Sequence, residues 1–169
     1  MIVLTGFMGA GKSTVGSMLA EKLGLPFVDI DIHIEQRRGR PVRTIFQEEG
    51  EQAFRQLEHE AILEIMCGSD AVVAVGGGAV EHPETRRILR DHATVVYLVV
   101  SYDEAIQRIG HDVDRPMLHV DDVRGLYERR LRVYEQSATL AIATDGRDPE
   151  TVVLDLLSRI HDATGGERT

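Results

Sequence analysis

The sequence holds a single cysteine, Cys67, in 169 residues. One thiol excludes an internal disulfide and a cysteine-rich zinc site. No stretch approaches 18 consecutive apolar residues, so no transmembrane helix is expected. The opening segment, Met1-Ile2-Val3-Leu4-Thr5-Gly6, lacks the positive n-region and long apolar h-region of a secretory signal. Together these absences predict a cytoplasmic protein with no membrane partner. Basic charge is also in short supply: 19 Lys and Arg stand against 28 Asp and Glu, a net charge of −9. Broad nucleic-acid binding needs a basic face, so no nucleic-acid partner is expected. Lysine is scarcer still. Only Lys12 and Lys22 are present, so 17 of the 19 basic residues are arginines. There is no internal repeat, low-complexity segment or linker. The dinucleotide fingerprint G-x-G-x-x-G is missing, which argues against a Rossmann dehydrogenase.

What is present reads as one domain. A chain of this length with 43% apolar and 28% charged residues can build a sizeable core. Short apolar runs alternate with helical patterns. Strands are predicted over 1–4, 27–29, 71–75, 94–100 and 140–143. Helices are predicted over 13–23, 31–38, 44–49, 52–66, 83–91, 103–109, 123–137 and 149–164. In the first helix Val15, Met18, Leu19 and Leu23 share a stripe. In the 52–66 helix Phe54, Leu57, Ala61, Leu63 and Ile65 point mostly inward. Cys67 reads as a small core or boundary residue. This order predicts an α/β fold with a parallel sheet covered on both faces and right-handed crossovers. The domain spans 1–164. The polar stretch 110–120 is a candidate lid, and 165–169 a flexible tail.

Gly6-Phe7-Met8-Gly9-Ala10-Gly11-Lys12-Ser13 matches G-x-x-x-x-G-K-[ST], between the first strand and the first helix as the motif requires. Its glycines let the backbone turn tightly beside an anion. The free N–H groups and the dipole at the helix start favour phosphate. Lys12 supplies a cation near the β- and γ-phosphates, and Ser13 a hydroxyl for Mg²⁺.

Asp29 and Asp31 end the second strand, two residues apart, on one face if extended. One carboxylate suits Mg²⁺ held through water, and the other an attacking hydroxyl. The bland alternative makes Asp31 a helix cap. Gly76-Gly77-Gly78 follows the third strand on the same edge as the P-loop, where it allows positive φ and close backbone approach. Arg55, Arg108, Arg115, Arg130 and Arg147 fall where they could face this edge. The seven histidines, among them His33, His59 and His119, show no metal-ligand spacing.

The chain resembles the shikimate kinase family. The likeness rests on Gly6 to Thr14, Asp29-Ile30-Asp31, Gly50-Glu51-Gln52-Ala53-Phe54-Arg55, Gly76-Gly77-Gly78-Ala79-Val80, Arg115-Pro116, and Arg130 with Tyr134. It runs over nearly the whole chain. It implies a three-layer αβα P-loop kinase fold with strand order 2-3-1-4-5, a mobile lid, and a substrate-binding insert at about 31–62. It implies phosphoryl transfer from ATP to the 3-hydroxyl of shikimate, in the route to chorismate and aromatic amino acids. By the same resemblance, Asp31, Arg55, Gly77 and Arg130 bind shikimate, and Gly76 and Gly78 lie beside it. Glu58 supports that site, and Phe46 and Phe54 wall the ring. Gly9, Ala10, Gly11, Lys12, Ser13 and Thr14 hold the phosphates, with Ser13 on Mg²⁺ and Asp29 reaching the metal through water. Arg108 and Arg147 lie on the adenine side, and Arg115 is the lid arginine. Asp31, Lys12 and Arg115 carry the catalysis. Arg129 and Arg132 compete with Arg130 for its place. A monomer is expected.

Two competing readings stand beside this one. A kinase for another small hydroxy acid, such as gluconate, would share the fold and an arginine-bound carboxylate. A nucleotide-dependent switch would bind ATP without turnover, although Asp31 and the candidate lid count against it.

Overall fold

The computed structural model of the chain describes residues 1–110 and 122–165. Five parallel strands lie in the order β2-β3-β1-β4-β5. They are β1 (Ile2–Thr5), β2 (Phe27–Asp29), β3 (Val72–Ala74), β4 (Thr94–Val99) and β5 (Leu140–Ala143). The central strands are buried on both faces, which is why they read as unbroken apolar runs rather than alternating ones.

The helices are α1 (Lys12–Leu23), α2 (Ile30–Arg38), α3 (Val42–Met66), α4 (Pro83–His92), α5 (Tyr102–Ile109), α6 (Val123–Ser137) and α7 (Pro149–Gly165). A 3-10 turn at Ala79–Glu81 precedes α4. From β1 the chain crosses one way, through α1 to β2. From β3 it crosses the other way, through α4 to β4. Right-handed crossovers in opposite directions place α1 and α4 on opposite faces. Helix α7 packs beside α1, and α6 beside α4 and β4, giving three layers.

The reversal leaves a crevice at the carboxyl ends of β1 and β3, where ligands of open α/β sheets bind. The register sharpens this. Leu4 pairs with Ala74, and Ala74 with Asp29. Leu4, Ala74 and Asp29 therefore lie on one row, at or one residue from the ends of three neighbouring strands and two residues before Gly6, Gly76 and Asp31. Those segments share an edge because the strand order and register put them there.

Several boundaries differ from the sequence reading. Strand β2 ends at Asp29 as expected, but α2 starts at Ile30, one residue before its expected start. Asp29 is the cap, its Oδ1 accepting from the Asp31 N–H at 3.1 Å. Asp31 therefore sits in the first turn of α2 rather than on the strand, and does no capping. Helix α3 covers the two predicted helices and is broken between them at Gly50, whose φ of 82° and ψ of 171° are not helical. Its buried stripe is Phe54, Glu58, Ala61 and Ile62, at i, i+4, i+7 and i+8. Leu63 falls off that stripe and is 36% exposed rather than inward. Leu23, at the end of α1, is equally exposed. Cys67 follows the last turn of α3 and is exposed, not a core residue. Helix α7 runs through Gly165, and 166–169 lie outside the described residues. So does the candidate lid beyond Gly110, and Arg115 with it.

Candidate active site

The row of strand ends opens into one cleft of about 890 Å³. One wall is the turn from β1 into α1, where Gly9, Ala10, Gly11, Lys12, Ser13 and Thr14 all line the space. Gly9 and Gly11 have φ of 79° and 89°, in the left-handed region that favours glycine. A Cβ on Gly9 would also come 2.7 Å from the Ala105 carbonyl oxygen. Gly11 occupies the helix cap without a side chain, so the orphan N–H groups of the first turn remain for an anion. Lys12 Nζ donates to the carbonyls of Gly6 at 2.9 Å and Phe7 at 3.1 Å, which holds the ammonium over the turn. Ser13 Oγ donates to Asp29 Oδ2 at 2.6 Å. A hydroxyl and a carboxylate from two elements thus meet at the positive end of α1.

The opposite wall carries Asp31, Phe46, Phe54, Arg55, the Gly76 to Gly78 turn and Arg130. Phe46 and Phe54 stack with ring centroids 4.5 Å apart. The Arg55 guanidinium lies against both rings, 5.8 and 5.6 Å from their centroids. It donates to Glu58 Oε2 at 2.8 Å and Glu51 Oε1 at 3.0 Å. The glycine triplet is needed here for space and not for φ, since none of its three residues has positive φ. A Cβ on Gly76 would strike Glu58 Oε1, and one on Gly78 would strike the Arg55 guanidinium.

Helix α6 settles which arginine faces the cleft. Arg130 is 2% exposed and lines it. Arg129 pairs with Asp122 on the outside, and Arg132 is exposed. Glu81 Oε2 accepts from Arg130 Nε at 3.0 Å and Nη2 at 2.7 Å, leaving Nη1 on the side of Gly77. One turn further, Tyr134 donates its hydroxyl to the Gly77 carbonyl at 2.6 Å. Burial pushes that phenol up, so it stays a donor. Glu81 was missed by the sequence reading. Its tie to Arg130 spans 49 residues, and no local pattern marks it.

Arg108 and Arg147 line the far end of the cleft. Arg108 bridges the Gly9 carbonyl and Thr144, and Arg147 is held by the Ala143 carbonyl and Asp155.

Behind this wall two carboxylate oxygens are unpaired. Asp31 Oδ1 and Glu58 Oε1 are buried and have no hydrogen-bond partner among the described residues. Burial raises the Asp31 carboxyl, with repulsion from Asp29 adding to it, and Lys12 and Arg55 pull the other way. Glu58 is pushed up to about 7, chiefly by burial, with Asp31 adding and Arg55 opposing. Two planar cations and the Asp31 carboxylate, all lining the cleft, suit a small molecule with one carboxylate and several hydroxyls.

Comparison with known proteins decides the family. The shikimate kinase family model matches residues 8–161. The chain belongs to the shikimate kinase family. It is 44% identical over 163 residues to the shikimate kinase of Streptomyces coelicolor, covering 95% of each. It is 40% identical over 161 residues to that of Persephonella marina, covering 94% of this chain and 98% of the relative. The shikimate kinase from Acinetobacter baumannii, solved in complex with shikimate, superposes with a TM-score of 0.93 at 35% identity, covering 96% of this chain and 93% of that one. A gluconokinase from Sinorhizobium meliloti has a TM-score of 0.56 at 18% identity, a likeness of fold alone.

The raised Glu58 carboxyl makes a stability prediction. Its ordinary value is 4.5 and its folded value about 7, so between these the folded state holds the extra proton. The contribution is full below about 4.5 and is lost as pH rises through about 7. Relative to Glu58→Gln, the natural protein should lose on the order of 3 kcal/mol of stability across that window. Urea unfolding of both proteins at several pH values measures this, and a difference independent of pH contradicts it.

Proposed function

We propose that the protein transfers the γ-phosphate of ATP to the 3-hydroxyl of shikimate, giving shikimate 3-phosphate and ADP. The observation that carries this is the single cleft joining the phosphate turn to Arg55, Arg130, Asp31 and the glycine triplet. Family membership narrows the acceptor to shikimate, a hydroxylated ring carboxylate of the kind those side chains suit.

In this reading the turn from Gly9 to Thr14 holds the phosphates of ATP, and Arg108 and Arg147 flank the nucleotide base. Arg55 and Arg130 bind the shikimate carboxylate. Glu58 and Glu81 hold those arginines in place, and Phe46 and Phe54 wall the ring. Asp31 accepts a hydrogen bond from the attacking hydroxyl and takes its proton as the new O–P bond forms and the bond to ADP breaks. Phosphoryl transfer has a loose transition state, so alignment and charge stabilisation do most of the work, with Lys12 neutralising the equatorial oxygens.

The residues also fit Mg²⁺. The hydroxyl of Ser13 and the carboxylate of Asp29, 2.6 Å apart at the mouth of the cradle, are the hard oxygen donors this ion takes. Ser13 would hold it directly and Asp29 through water. Bound there, Mg²⁺ supplies positive charge to the phosphates.

We take the working form to be a monomer, a reading supported by both walls of the described cleft coming from one chain. No helix among the described residues is long and apolar enough to cross a membrane. A cytoplasmic enzyme supplied with ATP fits these features.

An ADP-release assay over a panel of hydroxy acids tests the proposal. Turnover with shikimate, and little with gluconate or without an acceptor, is expected. Turnover on gluconate alone overturns the substrate assignment, and ATP binding without acceptor-dependent turnover overturns the kinase reading.

A further inference from the structure

Spacing along the chain gives the histidines no ligand pattern, but the fold brings two of them together. His59 lies on α3, directly after Glu58. His82 caps α4, and Glu84 follows in its first turn. One nitrogen from each imidazole and one Glu84 oxygen all lie within 4.8 Å of one another.

Three features set this cluster apart from a chance surface group. His59 is 8% exposed, so one ligand is largely fixed before any ion arrives. The two rings are stacked, with centroids 4.6 Å apart and planes tilted by 34°. The Thr85 hydroxyl lies 2.8 Å from His59 Nδ1 and 3.5 Å from His82 Nδ1. A hydroxyl oxygen has two acceptor lone pairs. When both Nδ1–H groups point at it, both Nε2 atoms carry bare lone pairs. Holding the far ring nitrogen is how outer partners orient metal-binding histidines.

The distances also suit an ion better than direct contact. His59 Nε2 and Glu84 Oε2 are 3.8 Å apart, too far for a hydrogen bond. Ligands about 2.0–2.1 Å from a tetrahedral zinc sit roughly 3.3 Å from each other. Glu84 is exposed and can close the remainder.

We propose that His59, His82 and Glu84 form a binding site for a divalent transition metal of the zinc class, with water in the fourth position. Two imidazoles and a carboxylate select such an ion over Mg²⁺, which prefers oxygen ligands. The ion ties α3 to the start of α4. His59 adjoins Glu58, the partner of Arg55, and His82 adjoins Glu81, the partner of Arg130. The site thus clamps together the two segments that hold both arginines, without using any residue of the phosphate cradle.

Calorimetric titration of the chelator-treated full chain with ZnCl₂ tests this, with MgCl₂ as the control. One Zn²⁺ per chain is expected, any Mg²⁺ heat should come from Ser13 and Asp29 and stay unchanged in the variants below, and Zn²⁺ should raise the thermal unfolding midpoint. His82→Gln/Glu84→Gln should weaken Zn²⁺ binding at least about tenfold and abolish the midpoint shift. Cobalt bound to the natural protein should show the strong visible absorption of four-coordinate Co²⁺, and lose it in the variant. Should the double variant fail to fold, Glu84→Gln alone gives the same readouts from an exposed position. Absence of Zn²⁺ binding, Mg²⁺ binding that the same variants weaken as much, or Zn²⁺ binding unchanged in the variants overturns the proposal.

Discussion

Lys12→Ala is expected to lower kcat by about 10² to 10³ with little change in folding. The ammonium stands over the phosphate turn, held by the Gly6 and Phe7 carbonyls. It is a compact charge already in place when negative charge spreads over the transferring oxygens. Water in the open cleft can reach a shortened side chain and offset some binding, but it cannot supply a fixed cation. The fold has little reason to suffer. Lys12 is the first residue of α1, where alanine is at least as good a helix former. The glycine turn that shapes the cradle is untouched. Turnover and the thermal midpoint should be measured on the same preparation. Lost turnover with an unchanged midpoint is the expected pair, and near-normal turnover contradicts the role of Lys12.

Asp31→Asn is expected to lower kcat by about 10² to 10⁴ through lost proton transfer. The substitution keeps the shape and removes the charge. Folding stability should be unchanged or raised. Burial and the Asp29 carboxylate both disfavour ionised Asp31, so an amide relieves the folded state rather than harming it. Capping of α2 survives, because Asp29 does it. Steady-state kinetics over a range of shikimate concentrations separates the possible roles. A fall in kcat supports proton transfer. A change confined to KM makes Asp31 a positioning group and contradicts its assignment as base.

The parts of this site that were legible in the sequence are those whose geometry is local. The phosphate turn is one continuous segment whose shape depends on its own glycines, and the three central strands announce themselves because burial on both faces leaves no polar alternation. The parts that were not legible depend on long-range packing. Arg129, Arg130 and Arg132 are near-equivalent in the sequence, and only the docking of α6 chooses among them. Glu81 is an unremarkable acid until the 3-10 turn delivers it to Arg130. The glycine triplet was picked out for the wrong reason as much as the right one: its backbone is ordinary, and what it provides is room for Glu58 and Arg55, two residues from another helix. Asp29 and Asp31 are both marked by the sequence, but a helix that starts one residue earlier, at Ile30, makes Asp29 the cap and puts Asp31 in its first turn. His59 and His82 show the same limit, since their proximity comes from α3 packing against the start of α4.

A crystal structure of the protein with ADP, Mg²⁺ and shikimate tests the central claim most directly. The shikimate carboxylate should lie against Arg55 and Arg130, its 3-hydroxyl should approach Asp31, and the β-phosphate of ADP should rest on the turn from Gly9 to Thr14 in the same cleft. Shikimate bound elsewhere, or Arg55 turned away from it, would contradict the account.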